Sequence, residues 1–123
     1  MKAMIVSLGF VLAAASGGSA AEQTLTGAIG DSHCGSKAHP TEARGKKISE
    51  RDCIVGSEDG ALPGCIKLGA KYILVSGDKI YQISNQDFAG LRVHAAHNVK
   101  LTGEVAGDTI TVKNIAMVPP KLE

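Results

Sequence analysis

Lys71-Tyr72-Ile73-Leu74-Val75-Ser76-Gly77-Asp78-Lys79-Ile80-Tyr81-Gln82-Ile83 is the stretch on which the fold turns. Tyr72, Ile73, Leu74 and Val75 are successive β-formers, dense enough in apolar surface to be buried on both faces of a sheet. Gly77-Asp78 separates them from a second short run, Lys79 to Ile83. A two-residue loop with glycine first suits a type II′ turn, whose twist matches the flanking strands, so the stretch predicts a tight antiparallel hairpin. Downstream, Phe88, Leu91 and Ala95 recur at helical spacing and predict a short helix over 87–95, with Asn85 or Asp87 as its cap. A second hairpin follows. Val99, Leu101 and Val105 share one face, Ala106-Gly107-Asp108 turns the chain, and Ile110 and Val112 alternate with Thr109, Thr111 and Lys113 on the way to Met117. Pro119-Pro120 then ends pairing, because neither nitrogen carries a donor. Upstream, Thr24 to Ile29 reads as a first strand that Gly30-Asp31 terminates.

Strand, long insertion, strand, strand, short helix, strand, strand is the connectivity of the OB-fold, a mainly β, five-stranded Greek-key barrel. Gly27 and Gly103, inside strand patterns, fit the bulges or sharp bends that curl a small sheet into such a barrel. A flat meander sheet backed by the insertion is the rival architecture. In an OB-like barrel the ligand surface is framed by the loops after strands one and four. The first of these is the insertion at 31–70, and the second is the Ala106-Gly107-Asp108 turn. The insertion is rich in Gly, Ser, Lys, Glu and Asp, and is too long to remain structureless in a compact domain. Ser49-Glu50-Arg51-Asp52 opens a helical turn around Cys53, and Pro63 opens another that contains Cys65 and ends at Gly69.

The chain has 123 residues. Lys2, the apolar run Ala3 to Ala15 and the small residues Ser16 to Ala21 read as a secretory signal over 1–21, cleaved after Ala20 or Ala21. This predicts an exported protein, periplasmic or extracellular, with one domain at 22–123 and no membrane span once the signal is removed. Without Lys2 the 13 basic residues become 12, against 12 acidic ones, so the mature domain carries no net formal charge. That balance offers no attraction to phosphate backbones, and three remaining aromatics, Tyr72, Tyr81 and Phe88, are too few to build stacking platforms. No nucleic-acid partner is expected.

Thr26-Gly27-Ala28-Ile29-Gly30-Asp31-Ser32-His33-Cys34-Gly35, Gly64-Cys65-Ile66-Lys67-Leu68-Gly69-Ala70-Lys71-Tyr72-Ile73-Leu74-Val75 and Val99-Lys100-Leu101-Thr102-Gly103-Glu104 together resemble a group of small exported bacterial proteins of unknown function. In that group a strand leads into an Asp-Ser-x-Cys-Gly turn, and further cysteines precede a Gly-Ala-Lys-Tyr strand. The resemblance spans nearly all of the mature chain. It implies the architecture and brings no activity with it. Two departures stand out: His33 occupies a position where an apolar residue such as Met is commoner, and the gap between Cys53 and Cys65 is longer. At the level of fold alone, the chain is also similar to other small exported OB-like domains involved in envelope stress.

The concentrated chemistry lies in the insertion, which carries all three cysteines, Cys34, Cys53 and Cys65, beside His33 and His39. An odd number of thiols in an exported chain cannot be fully paired within it. One reading is a structural disulfide between two of the three, which would staple the insertion and leave one thiol free or bridging two chains. Cys53–Cys65 closes the shortest loop, while Cys34 with either partner ties the insertion to the first strand. A second reading is a metal centre in which Cys34, Cys53 and Cys65 with His33 or His39 form a three-sulfur, one-nitrogen set for zinc or copper(I). A third is a reactive thiol, although Cys-x-x-Cys is absent, and no catalytic constellation announces itself. Asp31 serves the turn after the first strand, with metal ligation as the minority reading, and Arg44, Lys46 and Lys47 form a solvated face diluted by Glu42, Glu50 and Asp52. His94 and His97, three apart on the predicted short helix, can present two imidazoles to one metal, but a partly exposed helix face is the preferred reading. The sequence therefore predicts a binding module rather than an enzyme. Its leading function is ligand binding at the first-loop surface, with a transition-metal ion on the Cys and His side chains as the candidate ligand, and its rival is a disulfide-stapled envelope protein that recognises another protein or a polymer.

Overall fold

The computed structural model describes residues 20–37, 42–43 and 45–119. The expected signal segment up to Ser19, and His39 and Arg44, lie outside the described residues. The chain is mainly β. Its strands are β1 (Ala21–Asp31), β2 (Glu42–Ala43), β3 (Lys46–Lys47), β4 (Tyr72–Ser76), β5 (Lys79–Ile83), β6 (Asn98–Ala106) and β7 (Thr109–Met117), with short helices α1 (Glu50–Val55) and α2 (Gly90–Val93). Five strands close a barrel in the order β1-β4-β5-β7-β6, while β2 and β3 form a separate small hairpin. Every barrel pairing is antiparallel except β5 with β7. This is a small OB-like barrel and not the flat meander.

Closure depends on β1, which is longer than the predicted Thr24–Ile29. Its first part, from Ala21 to Ala28, pairs with β6, and its last part, from Ala28 to Asp31, pairs with β4. At the changeover a side chain on Gly27 would run into the Val75 carbonyl. On the opposite side, Gly103 sits beside the irregularity between Thr102 and Gly103 in β6, where a side chain would overlap the Thr111 carbonyl of β7. Both glycines permit backbones to approach where the sheet bends, as the strand patterns predict. The β4–β5 hairpin matches its sequence: Gly77 has φ 58° while Asp78 stays in the negative-φ region, the pattern of a type II′ turn.

Side chains of alternating register fill the barrel. Leu74, Leu101, Ile110 and Val99 are fully buried with Ile29, Leu91 and Ala95, and Val105, Val112 and Ile83 pack around them. Ile73 is buried as well, on the opposite face of β4, so that strand is covered on both sides as its unbroken apolar run predicts. Ile54 and Val55 at the end of α1 join the same core. The insertion is therefore seated on the barrel and not hung from it.

Three local readings need correction. Among the described residues there are two short helices and not one, because the turn expected around Cys53 forms the helix α1. The segment after Pro63 is a run of turns, with Leu68, Gly69 and Ala70 donating to Cys65 or Ile66 carbonyls, and Gly69 at φ 103° ends it. The cap of α2 is Ala89 with no side-chain bond. Asn85 is occupied elsewhere: its amide donates to the Val112 carbonyl and accepts from the Val112 N–H, both at 2.8 Å, so the side chain behaves as one more residue of a strand beside β7.

Candidate functional site

Three elements deliver the cysteines, each by its own backbone logic. Cys34 lies in the turn that ends β1. There the Asp31 carboxylate accepts the N–H of His33 at 2.9 Å and of Cys34 at 3.0 Å, and the Gly35 N–H bonds the Asp31 carbonyl at 2.9 Å. Asp31 thus serves this turn as predicted, and it does so fully buried. Ser32 stitches the turn to the start of β4, its N–H donating to the Lys71 carbonyl and its Oγ accepting from the Lys71 N–H.

Cys53 sits on α1, which Ser49 starts with a capping box: its Oγ accepts the Asp52 N–H, and the Asp52 carboxylate accepts the Ser49 N–H. Arg51 fixes the helix against the barrel by donating to the Arg92 and Val93 carbonyls at the end of α2. A helix of six residues has carbonyls at its C-terminal end with no partner inside it. Two of these, from Cys53 and Ile54, accept the N–H groups of Cys65 and Ile66 at 2.9 and 3.1 Å. The approach is possible because Gly64, at φ 84°, lays its backbone directly on Gly56 and Val55. Cys65 is thereby seated over Cys53.

The Sγ atoms of Cys34, Cys53 and Cys65 all lie within 4.8 Å of one another, and each cysteine is half-buried. A second set, Asp31, His33 and Cys65, meets the same limit, so Cys65 belongs to both. All three cysteines are free thiols. A groove of about 280 Å³, lined by Ile48, Leu62, Pro63 and Leu68, reaches Cys53 and Cys65 from solvent. A larger cavity of about 680 Å³, which shares Ile48, Asp52 and Leu62 with that groove, is lined by Lys46, Lys47, Arg51 and Arg92 together with Asp52, Glu58 and Asp59, and none of the cysteines borders it. Its charges alternate in sign, so size alone does not make it the chemical centre.

The electrostatics of the cluster favour protons or a cation over free thiolates. Burial first, and then the neighbouring Cys65 and Cys34 sulfurs, push the Cys53 thiol up to about 12. The Cys65 thiol is also raised, by burial and by the Asp31 carboxylate. Thiols held this way are poor nucleophiles at neutral pH, which argues against the reactive-thiol reading for Cys53 and Cys65. A cation among the sulfurs would reverse the argument, since a coordinating thiol gives up its proton.

The structure therefore brings together Cys34, Cys53 and Cys65 and sets His33 beside Cys65, while His39 lies outside the described residues. It also sets Asp31, the minority ligand candidate, beside His33 and Cys65. The signal for Asp31 is its place directly after the apolar pair Ile29 and Gly30, where a strand still inside the core carries a carboxylate beside a cysteine turn. His94 and His97 form a separate pair, with ring centroids 5.8 Å apart, and join no ligand cluster with the cysteines among the described residues. No helix among the described residues is long and apolar enough to cross a membrane. Comparison of the chain with protein-family models, with curated proteins and with solved structures finds no match.

Proposed function

We propose that this protein is an exported binding module that holds one thiophilic transition-metal ion, zinc or copper(I), on Cys34, Cys53 and Cys65, with His33 or Asp31 completing the set. The observation that carries the reading is the convergence of three sulfurs, from a turn after β1, from α1 and from the turns before β4, within 4.8 Å. A tetrahedral ion with metal–sulfur bonds of about 2.3 Å holds its sulfurs about 3.8 Å apart, a modest contraction of such a cluster. The half-burial of the thiols and the groove beside them supply both a dry shell and a path for the ion. The leader-like N-terminus and the resemblance to small exported proteins support export. The site lies in the first barrel loop, where OB-like folds present ligand surfaces.

A Cys53–Cys65 disulfide with Cys34 left over is the second reading. The direct backbone bond from Cys65 N–H to the Cys53 carbonyl favours that pair over either bridge to Cys34. Intact mass, thiol counting and metal analysis on protein purified from its own compartment separate the two readings. Three thiols with one ion per chain is the expected result. Two oxidised sulfurs, one free thiol and no stoichiometric metal would remove the metal centre and establish the staple.

A further inference from the structure

Away from the cysteines, the barrel carries a second group of soft and borderline donors that the first-loop site does not use. His94 follows α2, His97 closes the turn after it, and Met117 is the last residue of β7. The His94 Nδ1 and the Met117 Sδ are 3.2 Å apart, and the two imidazole rings stand edge to face at 5.8 Å between centroids. An ion bound by one imidazole nitrogen at about 2.0 Å and one sulfur at about 2.3 Å sets those two atoms about 3.5 Å apart at a tetrahedral angle and about 3.7 Å apart at a trigonal one. The observed separation is a few tenths of an ångström shorter, so a small opening of the contact admits the ion.

The backbone holds these donors in place. The His97 N–H bonds the His94 carbonyl at 2.9 Å, closing a tight turn, and the His94 N–H reaches back to Gly90 at 3.0 Å. Strand β1 clamps the turn from the other side: Ala96 donates to the Ile29 carbonyl at 2.8 Å, and Ile29 donates to the His97 carbonyl at 3.2 Å. Inside this clamp Ala96 adopts φ 69°, the one positive-φ residue other than glycine among those described. An alanine is held there because the surrounding bonds over-determine the conformation. Met117 arrives by sheet register, opposite Val99 and so two residues beyond His97. It is half exposed and His97 is exposed, so the group opens to solvent.

From this geometry we infer that His94, His97 and Met117 form a second, surface site that takes up copper(I). Two imidazoles and a thioether match the soft, low-coordinate preference of that ion. Zinc centres are built from thiolate, imidazole and carboxylate donors, and a thioether has no place in them. The inference does not rest on the cysteine centre, because neither group shares a ligand with the other.

The test uses the full chain with Cys34, Cys53 and Cys65 all replaced by Ser, titrated with copper(I) against a chromogenic copper(I) chelator. One equivalent is expected. His94→Gln should weaken uptake by about 100-fold or more, since even the partners of metal ligands are worth 10- to 100-fold in affinity, and the exposed Met117→Leu should act in the same direction. Should the triple variant fail to fold, silver(I) added to the unaltered protein reports through the Met117 methyl and the His94 and His97 ring resonances, which are expected to shift together. No uptake by a folded cysteine-free chain, uptake that His94→Gln and Met117→Leu leave unchanged, or a Met117 methyl that silver(I) does not move would overturn the site. Each would reduce the contact to an Nδ1–H···S hydrogen bond.

Discussion

Leu74, Leu101 and Ile110 are completely buried inside the barrel, whereas between Ser32 and Lys71 the only buried apolar side chains among the described residues are Ile54, Val55 and Ala70. The first two of those belong to the barrel's own core. What shapes the insertion is main-chain chemistry: a buried aspartate collecting two N–H groups, the carbonyls of a short helix taken up by Cys65 and Ile66, and glycine backbone pressed on glycine backbone. The difference matters because apolar burial is worth roughly 25 cal/mol per Å² and needs no cofactor, while a polar loop gains little from burial and must be completed by hydrogen bonds and cross-links. A barrel whose core takes only Ile54 and Val55 from the loop, and a loop that needs its thiols joined by something, is the division of labour this contrast predicts.

The largest effect should come from the barrel and be blind to the insertion. Leu101→Ala removes a fully buried side chain at the centre of the core and is expected to cost about 2 to 5 kcal/mol in urea unfolding. The loss should be the same whether metal is supplied or chelated. If chelation deepens it substantially, barrel and insertion fold as one unit and the contrast fails.

Gly64→Ala should have the next largest effect and act in the opposite place. The new methyl would meet the Gly56 nitrogen and the Val55 carbonyl carbon, at a φ of 84° that costs an L-residue roughly 1 to 2 kcal/mol. Cys65 should then lift away from Cys53. Hydrogen exchange is expected to show faster exchange over 49–70 with β6 and β7 still protected, and bound metal should fall below one per chain. Equal loss of protection in β6 and β7 would show that the insertion holds the barrel, not the reverse.

The same contrast explains which parts of the molecule are legible in its sequence. Barrel strands betray themselves through side-chain period, so Val99, Leu101 and Val105 against Ile110 and Val112 can be read directly, as can the Gly77-Asp78 turn between two apolar runs. The insertion has no such period. The helix start at Ser49 has a local signature, but the meeting of Cys65 with the end of α1 depends on a carbonyl twelve residues away, which no local pattern records. Side chains that stand in for backbone escape a sequence reading for the same reason. Asn85 pairs with Val112, and Gln86 bonds the Tyr72 N–H and carbonyl and the Ile83 carbonyl, yet both look like ordinary polar loop residues. The cysteines are identifiable by type, and their convergence only by fold.

Asp31 allows a finer cut, because it serves the turn through an oxygen and the cluster through a charge. Asp31→Ala removes the acceptor for the His33 and Cys34 N–H groups and should cost about 1 to 3 kcal/mol in the reduced, metal-free protein. Asp31→Asn keeps an oxygen in the same place and should lose less than half of that in a parallel thermal melt. Equal losses would mean that the buried charge, not the turn, is what the residue contributes.

The smallest effect is a titration that bound metal should abolish. The Cys53 thiol rises from 9.0 to about 12 in the folded protein, mainly through burial. Between those values the unfolded chain releases a proton that the native state keeps, so raising the pH draws the equilibrium toward unfolding. The stabilisation is complete below pH 9 and declines as pH climbs toward 12. Half-exposure of Cys53 will screen part of it. Tyr72, also raised by burial, drifts in the same direction, so the readout is the difference between the reduced metal-free protein and Cys53→Ser across pH 8 to 10 in urea midpoints. The original protein should fall faster than the variant. A bound ion replaces the proton that is being lost, so metal-loaded protein should show no such excess decline, and its affinity should rise with pH. Identical pH profiles for loaded and metal-free protein would mean that the sulfurs do not share the ion, and that the insertion is held together by its hydrogen bonds alone.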